Sequence, residues 1–369
     1  MTDGVRNAEA KLQPLRERID EIDADIQALI GERANIAQQV ASVKRAFGEV
    51  GNFYRPAREA EVLTRVAERN EVAGCPLPTE DMTRLIREVM SACLASESPL
   101  QVAYLGPAGT YTNAAALKHF GHFAELKPLA NLNDVFREVE AGAAHTGVVP
   151  IENSTEGVVN YTLDLVARSP LSICGEVRLR VHHCLLSKAS STDDVGIVYA
   201  HAQAIAQCRE WLDINLPGIP RAAVSSNAEA ARRAAEEPHA AAVAGRSAGE
   251  LYGLNELAAN IEDEPNNTTR FLVIGNQSVP RSGKDMTSLM LAAPNKPGAL
   301  HRLIAPFAEH GVSMSRIESR PSRREAWDYN FFVDVEGHRE DPSVQSAMAQ
   351  VEAFATVFRV LGSYPQAVW

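Results

Sequence analysis

Several groups of residues have types and spacings suited to chemistry. The first is built around Arg33. Read from Leu12, apolar residues recur in alternating steps of three and four: Leu12, Leu15, Ile19, Ile22, Ile26, Leu29, then Arg33, then Ile36, Val40 and Val43. A guanidinium in an otherwise apolar seam needs an anion, because an unpaired buried charge is very costly. That anion is either an internal carboxylate, with Glu59, Glu61 and Glu97 available, or the carboxylate of a ligand. Lys44, three turns on and one position off the seam, can line the same cavity. The second group is the loop GPAGTYT, containing Thr110, between the strand-like LQVAYLG and a helix-like run. Helix N-terminal N–H groups make such a junction a ready anion site. Its glycine spacing is GxxG, so a dinucleotide fold is poorly supported. The third is Glu152, Asn153, Ser154 and Thr155, hydrogen-bonding residues in a row at the end of the buried run GVVPI. Ligands of open α/β sheets collect at such strand ends. Gln207 and His201 lie in a further strand-to-helix junction, IVYAHAQAIAQC, and NNTTRF forms a polar loop entering a return strand.

These groups need elements to position them. The seam persists for more than four heptads, which predicts one long helix packed on other helices and ended by Gly48 and Gly51. A second helix is expected from Arg58 to about Glu71, and a third after Pro78, capped by Thr79, to about Ser96. Arg16 lies roughly 25 Å up the first helix from Arg33 at 1.5 Å per residue, farther than a small metabolite spans. It is either unrelated or serves the matching site of a second chain. So long a seam also prefers a partner helix, which predicts a homodimer or higher oligomer with sites built from both chains. From Leu100 to about Gly275, alternating strands and helices predict two α/β lobes around a cleft. Residues 285–369 read βαββαβ, an α+β ferredoxin-like order. The expected fold is therefore multidomain, with units at 1–98, 99–278 and 285–369.

Composition narrows the function. The chain has 369 residues, 45% of them apolar, and a net charge of −11, which argues against nucleic-acid or anionic-membrane partners. Its five cysteines include no CxxC pair, as for free thiols in a reducing cytosol. No secretory signal or long apolar run is present, so a cytoplasmic location is expected. His182 and His183 face opposite ways on an alternating strand, and no other ligand stands at metal spacing. Neither a metal nor a cofactor is expected. There is no nucleophile elbow and no P-loop.

The stretches LRERIDEIDADIQALIGERANIAQQVASVK and RPAREAEVL resemble an all-helical chorismate mutase of the intertwined-dimer type. The resemblance implies that Arg16 comes from the partner chain. It implies that Arg33, Lys44 and Arg58 bind the substrate carboxylates and ether oxygen, and that Glu59 binds the hydroxyl. The rearrangement needs no nucleophile. It needs one conformer held and cations where the breaking C–O bond gathers charge. Two positions depart from the family: Arg55 stands where many members have aspartate, and Glu97 where many have glutamine. A carboxylate cannot donate to an ether oxygen, so Glu97 would have to be protonated.

The motifs GPAGTYT, VVPIENSTEGVVNYTLDLV, HAQAIAQC and NNTTRF resemble prephenate dehydratase, whose two lobes are like those of periplasmic binding proteins. The resemblance implies Thr269 as the essential threonine, assisting departure of the ring hydroxyl as CO₂ leaves. Thr110, Glu152, Asn153, Ser154, Gln207 and Phe271 match other site positions. Arg270 is expected to pair with a substrate carboxylate, bidentately if geometry allows. Ala200 replaces a serine that some members carry. The turn Gly298-Ala299-Leu300 and the run Glu318-Ser319-Arg320-Pro321 resemble the GAL and ESRP motifs of an ACT domain, where they line a phenylalanine site between paired domains. Together the resemblance covers nearly all of residues 11–365. It implies conversion of chorismate to prephenate and of prephenate to phenylpyruvate in L-phenylalanine biosynthesis, restrained by L-phenylalanine. Arogenate remains an alternative substrate for the middle unit.

The protonated Glu97 has a consequence. Mutase turnover is expected to rise as pH falls, and Glu97→Gln is expected to flatten that dependence. A variant whose pH–rate profile slopes like the wild type's removes Glu97 from the mechanism.

Overall fold

A computed structural model describes residues 2–47, 54–155, 157–322 and 329–367. The seam forms one helix, α1 (Thr2–Ala46), of 45 residues, which passes through Pro14. Its expected stop at Gly48 and Gly51 lies outside the described residues. Helix α2 (Pro56–Ala73) opens on a proline in the first turn, where the missing N–H costs nothing, and closes on left-handed Gly74. Helix α3 (Thr79–Glu97) corrects the expected cap. Pro78 occupies the cap position, and Thr79 is already helical, its hydroxyl accepting from Asn70 Nδ2 at 3.3 Å. Along α1 the seam is bare: Leu15 is 61% exposed and Leu29 64%. A stripe of apolar side chains this long in water calls for a covering helix. No helix among the described residues is long and apolar enough to cross a membrane.

The first α/β lobe comprises β1 (Gln101–Leu105), α4 (Tyr111–Phe120), β2 (Glu125–Leu129), α5 (Leu132–Glu140), β3 (Thr146–Asn153), β4 (Gly157–Val158), α6 (Asn160–Arg168) and β5 (Ser172–Arg180). The second comprises β6 (Cys184–Ser187), β7 (Ile197–His201), α7 (Ala202–Gln207), α8 (Arg209–Asn215), β8 (Arg221–Val224), α9 (Asn227–Glu236), β9 (Ala240–Ala244), α10 (Arg246–Tyr252) and β10 (Asn255–Ala258). The chain then returns to the first lobe as β11 (Thr268–Gly275). The sheets are ordered β2-β1-β3-β11-β5, with β4 on β3, and β10-β6-β9-β7-β8. Strand β11 lies antiparallel between β3 and β5, so this late segment occupies the middle of the first sheet.

The third unit runs β12 (Asp285–Ala292), α11 (Ala299–Glu309), β13 (Met314–Pro321), β14 (Tyr329–Glu336), α12 (Pro342–Phe354) and β15 (Val357–Pro365), with sheet order β13-β14-β12-β15. That is the expected ferredoxin-like arrangement. One face of its sheet packs on α11 and α12 through Leu289, Leu303, Phe307, Val333 and Val351. The other face shares a core with the first lobe, where Met290, Phe332, Leu361 and Tyr364 meet Leu163, Ile173 and Leu272. The third unit is thus continuous with the lobe that carries β3 and β11.

Gly362 sets how closely β15 approaches β5. A Cβ added there would stand 2.1 Å from the Ile173 carbonyl oxygen, with no flexible side chain to yield. Gly362→Ala is expected to destabilise the protein by about 1–3 kcal/mol, as overpacking does. Thermal unfolding checks this; an unchanged melting temperature contradicts the close approach.

Candidate functional site

The residues flagged at the ends of β3 and β11 pair across the two strands: Thr269 lies opposite Asn153, and Arg270 opposite Glu152. Side chains alternate between faces of a strand, so each successive pair points to opposite sides of the sheet. Thr269 and Asn153 face the cleft between the lobes, and Asn153 Nδ2 donates to Thr269 Oγ1 at 2.8 Å and to Asn267 Oδ1 at 2.8 Å. The threonine oxygen accepts from Asn153, leaving its own proton free to donate into the cleft. A register shift follows Arg270, and Phe271, opposite Pro150, also borders the cleft.

The facing wall is polar. Gln207, at the end of α7, meets His183 Nε2 through its Oε1 at 2.9 Å. His183 Nδ1 lies 2.9 Å from the Tyr111 hydroxyl, which also donates to the His182 carbonyl at 2.8 Å. Burial holds the His183 pKa below its ordinary value, against the hydrogen bond from Gln207 and the charge of Glu262. The ring is therefore neutral near pH 7, and its one proton sits on Nε2, where Gln207 Oε1 accepts it. His201 and Asn227 complete this side of a cavity of about 360 Å³. The arrangement offers the Thr269 hydroxyl proton and several neutral hydrogen-bonding groups in one cleft, suited to acid assistance of a leaving hydroxyl.

Other expected residues lie elsewhere. Arg270 does not enter the cleft. Its Nε donates to Glu176 Oε2 at 2.6 Å, Nη1 to Asp334 Oδ2 at 2.5 Å and Nη2 to the Tyr364 hydroxyl at 3.0 Å. Glu152 likewise faces the third unit, in an ion pair with Arg316 at 3.0 Å. The cause is the two-residue period of the strands, which the expectation of a single polar cluster overlooked. Ser154 accepts from the Thr268 amide at 2.9 Å, tying β3 to β11. Thr110 caps α4, accepting from the Asn113 amide and donating to the Pro107 carbonyl at 2.9 Å. Sequence reasoning missed Tyr111 and His183. The two histidines lie in the link between β5 and β6 and not on a strand as expected, and the metal reading of the pair gives no reason to look for His183 in the cleft. His183 is 1% exposed and borders the cleft, whereas His182 turns to Glu262 at 2.7 Å.

In the helical unit, Glu97 stands within electrostatic reach of Lys44, Arg45 and Arg33. Burial raises the Glu97 carboxyl above its ordinary range, with those cations opposing. Arg58 points outward and pairs with Glu61 at 2.9 Å, and Arg16 pairs with Glu9 on the exposed flank of α1. Glu59 turns to another face of α2. It joins a small pocket at the junction with the first lobe, lined by Tyr54, Arg87, His119 and Glu176. Arg87 Nε is 3.7 Å from its carboxylate, and the Tyr54 hydroxyl meets His119 Nε2 at 2.7 Å. Burial pushes the Glu59 carboxyl up to about 7, against the pull of Arg87, and drops His119 to about 3.

The expected effector residues divide between the faces of the third sheet. Gly298 caps α11 in the left-handed region (φ 79°), which a side chain would strain, and Ala299 and Leu300 begin that helix. Glu318 lies on β13 between Arg316 and Arg320, whose side chains reach Glu152 and Asp164 of the first lobe, and Ser319 alternates to the exposed side. Arg320 grips both oxygens of Asp164 on α6, at 3.0 and 3.1 Å, beside a cavity floored by Met290, Phe332 and Val357.

Comparison with known proteins covers each unit. The family described as Chorismate mutase type II matches residues 15–98, Prephenate dehydratase residues 102–279, and ACT domain residues 287–353. A bifunctional chorismate mutase/prephenate dehydratase of Stutzerimonas stutzeri is 53% identical over 362 residues, 97% of this chain and 98% of the relative. One of Pseudomonas aeruginosa is 51% identical over 362 residues, with the same shares covered. The solved prephenate dehydratase of Arthrobacter aurescens in complex with L-Phe has a TM-score of 0.67 and 36% identity, over 72% of this chain and 90% of that one.

Glu59 gives the domain junction a pH dependence. Its folded pKa of about 7 exceeds the ordinary value of 4.5. Between those values the folded state holds a proton that the unfolded state has lost, so stability falls as pH rises through the window. Glu59→Gln is expected to lose less stability than wild type between about pH 5 and 8, by up to about 3 kcal/mol. Denaturant unfolding at both pH values tests it; parallel losses in the two proteins refute the buried, protonated carboxyl.

Proposed function

Because the chain belongs to the bifunctional chorismate mutase/prephenate dehydratases, with both activities and an ACT domain, we propose that it makes phenylpyruvate from chorismate for L-phenylalanine synthesis under L-phenylalanine restraint. The observation that carries the dehydratase assignment is Thr269, held at 2.8 Å by Asn153 in the cleft between the lobes. In this reading the Asn153 amide orients the threonine hydroxyl. The Thr269 proton moves toward the departing ring hydroxyl as the C–O bond breaks. The carboxylate leaves as CO₂, its bonding electrons completing the aromatic ring. Aromatisation supplies the driving force, so a weak acid suffices. Phe271 borders the ring, and Gln207 and His183 offer polar contacts from the facing wall.

For the mutase step, Arg33, Lys44 and Glu97 form the core of the site. Arg33 and Lys44 bind substrate carboxylate and ether oxygen, and protonated Glu97 donates to the latter. The exposed α1 seam takes the same helix of a second copy, which brings Arg16 of that copy to the site. Glu59 and Arg58 point elsewhere in a single chain, so hydroxyl recognition falls to the assembled dimer. L-phenylalanine binds where paired ACT domains bring Gly298-Ala299-Leu300 of one copy to the β13 face of the other. The Arthrobacter aurescens relative, solved with L-Phe, supports that effector.

Phenylpyruvate formation from chorismate by the purified chain tests the whole assignment, run with and without L-phenylalanine and beside Thr269→Ala. Phenylpyruvate is expected from wild type, to fall with L-phenylalanine, and to vanish in the variant while prephenate accumulates. Prephenate accumulating in wild type itself would exclude the dehydration step and turn attention to arogenate.

A further inference from the structure

We propose that Arg270 is a positioning residue for the dehydration, and that Asp334 of the ACT domain completes the dehydratase site from behind. The inference rests on reading Thr269 as the acid. The front pair, Thr269 and Asn153, is joined by the 2.8 Å contact that aims the threonine proton. The next cross-strand pair, Arg270 and Glu152, faces the ACT sheet, and both its members are held by ACT side chains.

The guanidinium of Arg270 is engaged at all three nitrogens, and its side chain is only 12% exposed. Two of its three partners, Asp334 and Tyr364, belong to the ACT domain. Those partners are themselves fixed: Ser288 Oγ donates to Asp334 Oδ1 at 2.5 Å and lies 2.7 Å from the Tyr364 hydroxyl. Arg316, which holds Glu152, approaches Asp334 at 3.9 Å. Asp334 therefore stands between the arginine on β11 and the arginine that faces Glu152 on β3. Its charge holds the side chains of the cross-strand pair next to the reacting one. Neutralising Asp334 leaves Arg270 with Glu176 and Arg316 with Glu152 as the remaining carboxylates, and the arginines on either side of the reacting pair resettle around the lost charge. A displacement near 1 Å at a proton donor costs on the order of a hundredfold in rate. A residue that only positions the donor alters turnover and leaves substrate affinity alone, whereas a substrate ligand alters KM.

The test is steady-state kinetics on prephenate for Arg270→Lys, Asp334→Asn, Ser288→Ala and Thr269→Ala in the full chain. Thermal unfolding of the same preparations reports folding, and mutase activity, from the Arg33, Lys44 and Glu97 group in another unit, reports that a loss is confined to dehydration. Asp334→Asn and Arg270→Lys are expected to lower kcat by about tenfold or more with KM within about twofold, and Ser288→Ala to lower kcat by about threefold. Mutase activity stays at the wild-type level. Wild-type kcat in Asp334→Asn, or a raised KM with unchanged kcat in Arg270→Lys, overturns the proposal. If Asp334→Asn loses mutase activity as well, Ser288→Ala decides: wild-type kcat there overturns it. Activity surviving in Thr269→Ala removes the underlying reading instead. Full activity of Asp334→Asn beside an inactive Thr269→Ala removes this inference alone.

Discussion

The pairing of β11 with β3 is the constraint on which the rest depends. A late strand inserts antiparallel between two early ones, and its two-residue period sends consecutive polar residues to opposite sides. Thr269 and Phe271 reach the cleft, while Arg270 reaches the ACT sheet. One strand thereby carries both the candidate acid and the anchor of the ACT domain. The charge on that anchor requires carboxylates, since a buried arginine without them would cost several kcal/mol. Glu176 from β5 and Asp334 from β14 supply them. The apolar contacts around Leu272, Phe332 and Tyr364 then exclude water from the pair.

The helical unit obeys a different constraint. Its α1 seam is exposed over most of its length, so the single chain has not buried the surface its heptads specify. Arg33, which stands in that seam, is exposed too, near Glu97 and Lys44. The cleft that holds Thr269 draws its described walls from both lobes of one chain.

Between these units sits a compact polar junction. Tyr54 and His119 form a hydrogen bond across it, Arg87 donates to the Lys118 carbonyl at 2.9 Å, and Glu88 accepts from His122. Glu176 borders the same pocket and also holds Arg270. The polar residues that dock the helices onto the first lobe thus adjoin those that dock the ACT sheet onto it, with β5 between them. The first lobe thus packs against both neighbours, sharing one apolar cluster with the ACT sheet and another with Tyr54 of the helical unit.

Local order along the chain was enough to determine the long heptad helix, the alternating lobes and the βαββαβ unit, because 3.6- and 2-residue periods are written in consecutive residues. The motif resemblance likewise carried Thr269 and Asn153, at strand ends, and Gln207, at the end of α7. Tertiary structure alone decided which of those neighbours share a pocket. Glu152 and Arg270 adjoin the cleft residues in sequence yet face the ACT sheet, because only strand pairing assigns a face its occupant. Glu59 left its expected partners because α2 turns that position into the junction, where burial and Arg87 await it. His183 became a cleft residue because β5 and the following turn bring it beneath Tyr111 and Gln207, contacts that span 72 and 24 residues of chain. Such long-range contacts depend on how whole elements pack, and no local spacing encodes them.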